Sequence, residues 1–112
     1  MANITIGQTD NGRSLPVRLG DLIRLSLSEN PTTGYRWDIE ETSDILELQQ
    51  DTHSSQAPAQ PGRASTRTFV FRVAGAGNIK LRLRRWRPWQ GESSIEERFS
   101  IDLRASKEKN ST

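Results

Sequence analysis

The sequence predicts an all-β fold, an immunoglobulin-like β-sandwich of about seven or eight strands. Apolar residues alternate with polar ones in short runs, which is the pattern of a strand with one buried face. Turn-forming clusters such as Asp10-Asn11-Gly12 separate the runs, at the spacing of about 8–12 residues that is typical of sandwiches. Only 32% of the residues are hydrophobic, which suits two sheets that each bury a single face.

The predicted strands follow one another along nearly the whole chain. Their apolar sets are Ile4–Ile6, Leu15–Leu19, Ile23–Leu27, Tyr35–Ile39, Ile45–Leu48, Phe69–Val73, Ile79–Leu83 and Phe99–Leu103, and the last set could extend back to Ile95. Trp37 is expected to fill the core. Residues 52–64 are polar and small, which predicts a long mobile loop. We therefore predict one domain over residues 1–104 and a flexible polar tail over 105–112.

Charge and cysteine content exclude several classes of protein. The 112 residues carry 16 Lys and Arg against 14 Asp and Glu, a net charge of +2 that is too small to imply a polyanionic partner. Cysteine is missing, which excludes disulfides and thiolate chemistry. No apolar run reaches the ~20 residues of a membrane span. The N-terminus does not resemble a signal peptide. We expect a soluble protein whose compartment the sequence leaves open: periplasmic or secreted if a signal has been removed, and otherwise cytoplasmic.

Catalytic motifs are also missing from the sequence. Gly75-Ala76-Gly77 lacks the third glycine and the following helix of a dinucleotide loop, and is predicted to be a turn. His53 is the single histidine and is predicted to lie in a polar loop without the partners that a metal ligand or general base needs. Seryl catalysis has no nucleophile-elbow signature. The sequence therefore predicts a protein that is not an enzyme and binds no cofactor and no metal.

The segment Asn30-Pro31-Thr32-Thr33-Gly34-Tyr35 lies between two predicted strands. Its proline restricts the backbone, and its Asn and Gly tolerate turn geometry. Such a loop is nearly shaped before binding, so inserting it into a partner's cleft would cost little ordering entropy. An ordinary polar turn has the same composition, and the segment taken alone leaves both interpretations open.

The segment Arg87-Pro88-Trp89 is predicted to form the tip of a hairpin. Proline stiffens such a tip, and Trp and Arg are among the residues most enriched in binding hot spots. The alternative is that Trp89 folds back and closes the end of the sandwich. The sequence favours neither.

The basic strand ahead of this tip allows a second function. Lys80, Arg82 and Arg84 alternate onto one face, with Trp86 and Trp89 nearby, and such a surface could bind single-stranded nucleic acid. The alternative is a solvated strand face that pairs with acids on a neighbour such as Glu96. The small net charge favours the solvated face, so we expect no nucleic-acid partner.

Two motifs together resemble a known family. Asn30-Pro31-Thr32-Thr33-Gly34-Tyr35-Arg36-Trp37, followed on a later hairpin by Arg87-Pro88-Trp89, is similar to the chagasin family of cysteine-peptidase inhibitors. The resemblance extends from the strand near Leu15 to the one ending at Leu103. A third family motif, of the form Gly-X-Gly-Gly, corresponds here to Gly62-Arg63-Ala64-Ser65, in which only the first glycine agrees.

The resemblance implies a reversible, competitive, monomeric inhibitor of papain-like cysteine peptidases, built as an immunoglobulin-like domain with three adjacent contact loops. It implies that Thr32 approaches the catalytic Cys–His pair of the peptidase and that Thr33 and Gly34 complete the insert. Asn30 and Pro31 would hold the loop's shape. On one side Trp89, oriented by Arg87 and Pro88, would lie against aromatic surface, and on the other side Gly62–Ser65 would touch the peptidase.

Overall fold

A computed structural model describes residues 2–29, 34–54 and 65–107. These residues form two four-stranded β-sheets. The strands are β1 Asn3–Gly7, β2 Ser14–Arg18, β3 Leu22–Glu29, β4 Arg36–Glu41, β5 Leu46–Ser54, β6 Ser65–Val73, β7 Gly77–Trp86 and β8 Glu97–Ser106. Short 3-10 turns occupy Gln8–Asp10, Pro88–Gln90 and Glu92–Ser94. The predicted all-β sandwich is confirmed.

The pairing of the strands determines which connections share an end of the molecule. One sheet has the order β1-β3-β6-β5 and the other β2-β8-β7-β4. Strands β1 and β2 pair in parallel with β3 and β8, and the remaining pairs are antiparallel. The register aligns the last residue of β3 with the first of β6, Glu29 with Ser65, and the first residue of β4 with the last of β7, Arg36 with Trp86. The β3–β4, β5–β6 and β7–β8 connections therefore leave from one end of the sandwich.

The core lies between the two sheets and is formed by the alternating apolar positions. Trp37 is completely buried, as predicted, and fills the space between β3 and the second sheet. The other large core side chains come from β3, β6, β7 and β8, and they are Ile23, Leu25, Leu27, Phe69, Phe71, Ile79, Leu81, Leu83, Phe99, Ile101 and Leu103. Burial of one face per strand is what the period of two in the sequence requires.

Strand β5 is longer than the sequence predicts. It continues through Thr52 and His53 to Ser54, so the predicted loop loses its first residues, and His53 lies in a strand and not in a loop. Residues 55–64 of that predicted loop lie outside the described residues. The polar half of β5 lacks apolar alternation because it is held by pairing with β6 along its length and not by burial in the core.

The last strand also differs from its predicted bounds. Strand β8 begins at Glu97, so Ile95 lies ahead of it, and it ends at Ser106, so the first two residues of the predicted 105–112 tail belong to the sheet. Ala105 is buried and pairs with Val17 of β2 on one side and with Gly77 of β7 on the other. The large apolar residues of β8 end at Leu103, but the small Ala105 continues the inward face, so the strand extends past the last large side chain. Residues 108–112 lie outside the described residues.

Candidate functional site

The predicted contact residues fall at the end of the sandwich that carries the three connections. Residues 30–33 and 62–64 lie outside the described residues, and Ser65 is the first residue of β6. Gly34 and Tyr35 precede β4, and Arg87, Pro88 and Trp89 follow β7. The described part of the site therefore consists of the entry to β4 and the tip of the β7–β8 hairpin.

The hairpin tip is folded by two consecutive 3-10 turns and one serine. Gly91 joins the turns with a φ of 79°, a left-handed value that favours glycine. The Ser94 hydroxyl accepts a hydrogen bond from the Arg87 backbone N–H at 3.0 Å. Its single O–H can donate to either of two carbonyl oxygens, that of Arg87 at 2.9 Å or that of Gly91 at 2.7 Å. Because its backbone is held at both sides, the tip presents Trp89 from a defined position.

Trp89 is exposed and lies against Gly34. Its side chain is 69% exposed, so the interpretation of Trp89 as a plug of the core is wrong. A Cβ atom placed on Gly34 would lie 2.6 Å from Cη2 and 3.0 Å from Cζ2 of the indole. Gly34 also has a φ of +83°. The left-handed backbone favours glycine here, and any larger residue would also have to displace the exposed indole. The two sequence motifs meet at this contact.

A second contact joins the same two segments. The Arg87 guanidinium lies 4.3 Å from the centre of the Tyr35 ring, at a distance typical of a cation–π interaction. Behind it, Arg36 and the Trp86 indole N–H both contact the Asp38 carboxylate, at 3.3 and 2.8 Å. The entry to β4 is therefore fixed to the hairpin by side chains as well as by the strand pairing.

Trp37, which follows the 30–33 segment, is hydrogen-bonded to the residues that precede that segment. Its backbone N–H donates to Glu29 Oε2 at 2.8 Å, and its indole Nε1–H donates to the Ser28 carbonyl oxygen at 2.8 Å. These bonds join the end of β3 in one sheet to β4 in the other. The residues that flank 30–33 on either side are thus bonded to each other.

Beside these hydrogen bonds lies a group of charged side chains that we call the strand-end cluster, made of Glu29, Asp51, His53 and Arg67. Arg67 donates to Asp51 from Nε and Nη2, at 2.5 and 2.8 Å, and to Glu29 from Nη1 at 3.1 Å. His53 Nδ1 lies 2.9 Å from Glu29 Oε1. Glu29 and Arg67 are buried, and charged groups are buried only when they are paired in this way.

The ion pair with Asp51 shifts the ionisation of both partners. The hydrogen bonds from Arg67 hold the pKa of the Asp51 carboxyl below its usual range, against the smaller opposing effect of burial. The same hydrogen bonds raise the pKa of Arg67, so its charge is permanent. The Arg67–Asp51 pair is therefore ionised at neutral pH.

Sequence reasoning missed this cluster, although strand parity contained the signal. Glu29 continues the inward series Ile23, Leu25, Leu27, and Arg67 precedes the inward series Phe69–Val73 at the same spacing. Opposite charges at the inward ends of two strands indicate a buried pair once the strands are known to be neighbours. That last fact requires the topology.

Comparison with known proteins identifies the family. The sequence profile described as Chagasin family peptidase inhibitor I42 matches residues 16–103. The chain belongs to the chagasin family. It is 29% identical over 106 residues to Chagasin of Trypanosoma cruzi, covering 90% of this chain and 96% of that protein. It is 31% identical over 85 residues to Amoebiasin-2 of Entamoeba histolytica, covering 74% of this chain and 69% of that protein.

A solved structure agrees with this chagasin-family assignment. The crystal structure of the cysteine protease inhibitor EhICP2 from Entamoeba histolytica is similar with a TM-score of 0.86 at 26% identity, over 95% of this chain and 97% of that one. Chagasin-family proteins are peptidase inhibitors, which confirms the prediction that this chain is not an enzyme. Among the described residues, no group of three or more His, Cys, Asp or Glu side chains could hold a metal ion. No helix in the described ranges is long and apolar enough to cross a membrane.

The basic face of this chagasin-family protein is paired with acids. Arg82 and Arg84 on β7 contact Glu41 and Glu40 on β4, at 3.5 and 4.0 Å. The Arg84 guanidinium also stacks on Trp86 at 3.7 Å. A nucleic acid would have to displace these acids and the stacked arginine, so the structure favours the solvated, acid-paired face over the nucleic-acid surface. The acid expected for this role, Glu96, instead contacts Arg85.

Proposed function

We propose that this protein is a reversible, competitive inhibitor of papain-like cysteine peptidases that acts as a monomeric single domain. The residue 30–34 loop enters the active-site cleft, and the 87–89 and 62–65 segments flank it. Membership of the chagasin family supports the inhibitory activity. Similarity to EhICP2, a cysteine protease inhibitor, supports the class of target.

The contact between Gly34 and Trp89 carries the proposal. Gly34 of one motif and Trp89 of the other are far apart in the sequence but contact each other, so the exposed indole lies beside the last residue of the proposed insert. A single docking event can therefore engage both. Protease–inhibitor interfaces of standard size bury about 800 Å² on each partner, which three adjacent loops on one end of a sandwich can supply.

The described side chains suggest how the affinity is divided. Trp89 is a large apolar group held on a braced hairpin, which is the typical character of a hot spot. Arg87, stacked on Tyr35, holds that hairpin against the insert. The hairpin is held by strand pairing and by the Ser94 hydrogen bonds, so this part of the surface should lose little entropy on binding. Thr32 and Thr33 have no charge or bulk that would oppose entry into a narrow cleft.

The test is inhibition of papain, with Thr32→Asp as the informative variant. The unmodified chain should inhibit hydrolysis of a small peptide substrate in competition with that substrate. Thr32→Asp should weaken inhibition by roughly 100-fold or more, because it brings an unpaired charge into a desolvated cleft. The matched control is Ser106→Asp, which adds the same charge at the exposed end of β8, about 30 Å from the hairpin tip by strand length.

The control should inhibit papain as strongly as the unmodified chain. Equal potency of all three proteins would remove the 30–34 loop from the mechanism. A chain that inhibits no papain-like peptidase at all would refute the proposed target class.

A further inference from the structure

One buried carboxylate touches the bases of two of the proposed contact segments. Glu29 is the last residue of β3, and its side chain is 1% exposed. Its Oε2 accepts hydrogen bonds from the Trp37 backbone N–H at 2.8 Å and from Arg67 Nη1 at 3.1 Å, and its Oε1 lies 2.9 Å from His53 Nδ1. Four strands are therefore joined at one side chain: β3, β4, β5 and β6.

The partners of Glu29 lie next to the chain ends of the 30–33 and 55–64 segments. The residue 30–33 segment begins immediately after Glu29, and Trp37 lies just beyond its far end. His53 lies one residue before the end of β5, and Arg67 is the third residue of β6, so these two flank the place where residues 55–64 leave and return. Glu29 thus connects the strand ends that carry both segments.

The buried Glu29–Arg67 pair is not explained by a gain in folding stability alone. Burying a carboxylate and a guanidinium costs desolvation free energy that their attraction barely repays, and well-packed apolar residues often stabilise such a position as well. Charge-assisted hydrogen bonds instead impose direction and distance. Arg67 contributes a planar group held on two carboxylates and placed over the Phe69 ring at 4.9 Å. Such an arrangement specifies one geometry for the four strand ends.

We infer that Glu29 is a positioning residue that fixes the ends of β3, β4, β5 and β6 relative to one another. The 30–33 segment joins β3 to β4 and the 55–64 segment joins β5 to β6, so Glu29 would hold both segments in place for the peptidase together. This inference rests on the proposed inhibitory function. Glu29 itself does not touch the peptidase; it acts through Trp37, His53 and Arg67. Loosening it should disturb two contact segments at once.

The test uses Glu29→Gln, which keeps the shape and an acceptor for the Trp37 N–H but removes the charge that faces Arg67 and His53. The matched control is Asp21→Asn at the other end of β3, about 26 Å away by strand length. Asp21 is also a buried carboxylate, and it accepts the backbone N–H groups of Ala2 and Arg18 at 3.1 and 2.9 Å. The two variants remove similar buried charges at opposite ends of the same strand.

Two measurements separate positioning from general stability. In the free protein, Glu29→Gln should speed amide hydrogen exchange at the strand ends, at Trp37, Ser54 and Thr66 together, by roughly 10-fold. Asp21→Asn should speed exchange at Ala2 and Arg18 and leave those three amides unchanged. In complex with papain, Glu29→Gln should dissociate roughly 10-fold faster, whereas Asp21→Asn should dissociate like the unmodified chain, even where the two variants have equal thermal stability.

A second variant protects the test against misfolding. His53→Ala removes a side chain that is 57% exposed, so the fold should tolerate it, and yet faster exchange at Trp37 is expected because the two residues share Glu29. Unchanged exchange at Trp37 in both variants would overturn the inference even if papain is inhibited normally. If the unmodified chain does not inhibit papain, the proposed function fails, and the exchange measurement still decides the role of Glu29.

Discussion

At the scale of single residues, the contact of Gly34 with Trp89 decides whether the two motifs act as one surface. Glycine at this position has two separate causes, a left-handed backbone and an indole that occupies the space of a side chain. A positive φ costs a residue with a Cβ roughly 1–2 kcal/mol. The contact with the indole acts differently, because Trp89 is exposed and can move away. The first cause concerns stability, and the second concerns binding.

We expect Gly34→Ala and Gly12→Ala to separate these causes. Gly12 has a φ of +84°, and a Cβ atom added to it would meet no atom within 4 Å, whereas Gly34 has a φ of +83° and the indole. Both variants should therefore lose roughly 1 kcal/mol of unfolding free energy, measured by thermal denaturation. Only Gly34→Ala should weaken papain inhibition, because only it displaces Trp89.

Trp89→Ala and Gly34→Ala together form a double-mutant cycle that tests whether the two residues act through one contact. Alone, Trp89→Ala should weaken binding by about 2 kcal/mol or more, with most of the effect on the dissociation rate because short-range contacts act mainly there. In the Trp89→Ala background, adding Gly34→Ala should weaken binding less than it does in the unmodified chain. Strictly additive effects would show that Gly34 acts independently of the indole.

At the scale of secondary-structure elements, the β7–β8 hairpin is shaped by its own hydrogen bonds. The tip between Arg87 and Gly91 has no buried residue in its 3-10 turn, and one hydroxyl, that of Ser94, lies between Arg87 and Gly91. A loop that presents a large aromatic side chain needs such bracing, because every rotamer left free in the unbound state reduces affinity. The hairpin is therefore a preorganised element.

Ser94→Ala should loosen this element without harming the sheets. Loss of the hydroxyl removes the acceptor of the Arg87 backbone N–H at a half-buried position, which should cost about 1 kcal/mol of stability and weaken papain inhibition several-fold. The control is Ser93→Ala, whose exposed hydroxyl makes only a 3.4 Å bond to the Gln90 carbonyl oxygen within the described residues. Inhibition constants and melting curves of both variants test this, and equal loss of inhibition by the two would contradict it.

At the scale of the whole molecule, the end of the sandwich that carries the three connections is built differently from the middle. The apolar core occupies the middle, whereas the strand-end cluster places ionised groups beneath the end that carries the three connections. Ionised pairs respond to pH where an apolar core does not. The structure thus links the overall stability of the domain to the charge of Asp51.

The sign of this link follows from the lowered pKa of Asp51, which is below its ordinary value of 3.8 because of the hydrogen bonds from Arg67. The unfolded chain binds a proton at higher pH than the folded one, so the stabilisation is complete above about pH 5 and is lost as the pH falls through the unfolded and then the folded pKa. Asp51→Asn should therefore melt below the unmodified chain at neutral pH. The gap should begin to narrow below about pH 5 and should close only when the pH has fallen below the lowered pKa of Asp51 in the folded chain.

Thermal denaturation of both proteins from neutral to acidic pH measures this gap. Glu47→Gln on the same strand is the control, because its ion pair with Arg72 is solvent-exposed and such pairs contribute little. A gap between the Asp51→Asn variant and the unmodified chain that stays constant with pH would show that the Asp51 carboxylate contributes through shape and not through charge.

The sequence by itself determined the sandwich, its apolar positions and the two motifs that indicated the family. These features are local: a period of two, turn residues, and short motifs that are contiguous in the chain. It also placed Trp37 correctly, since a large aromatic residue at an inward position has few alternatives to the core.

Only the tertiary structure decided what depends on neighbours. Trp89 could not be assigned from sequence because an exposed anchor and a core plug have the same local pattern, and the answer came from its contact with Gly34. The polar half of β5 was misread as loop because an edge strand held by backbone pairing leaves no hydrophobic period. Glu29 and Arg67 are thirty-eight residues apart in the chain, and opposite charges attract through space, so only the pairing of β3 with β6 could show that they share one buried site.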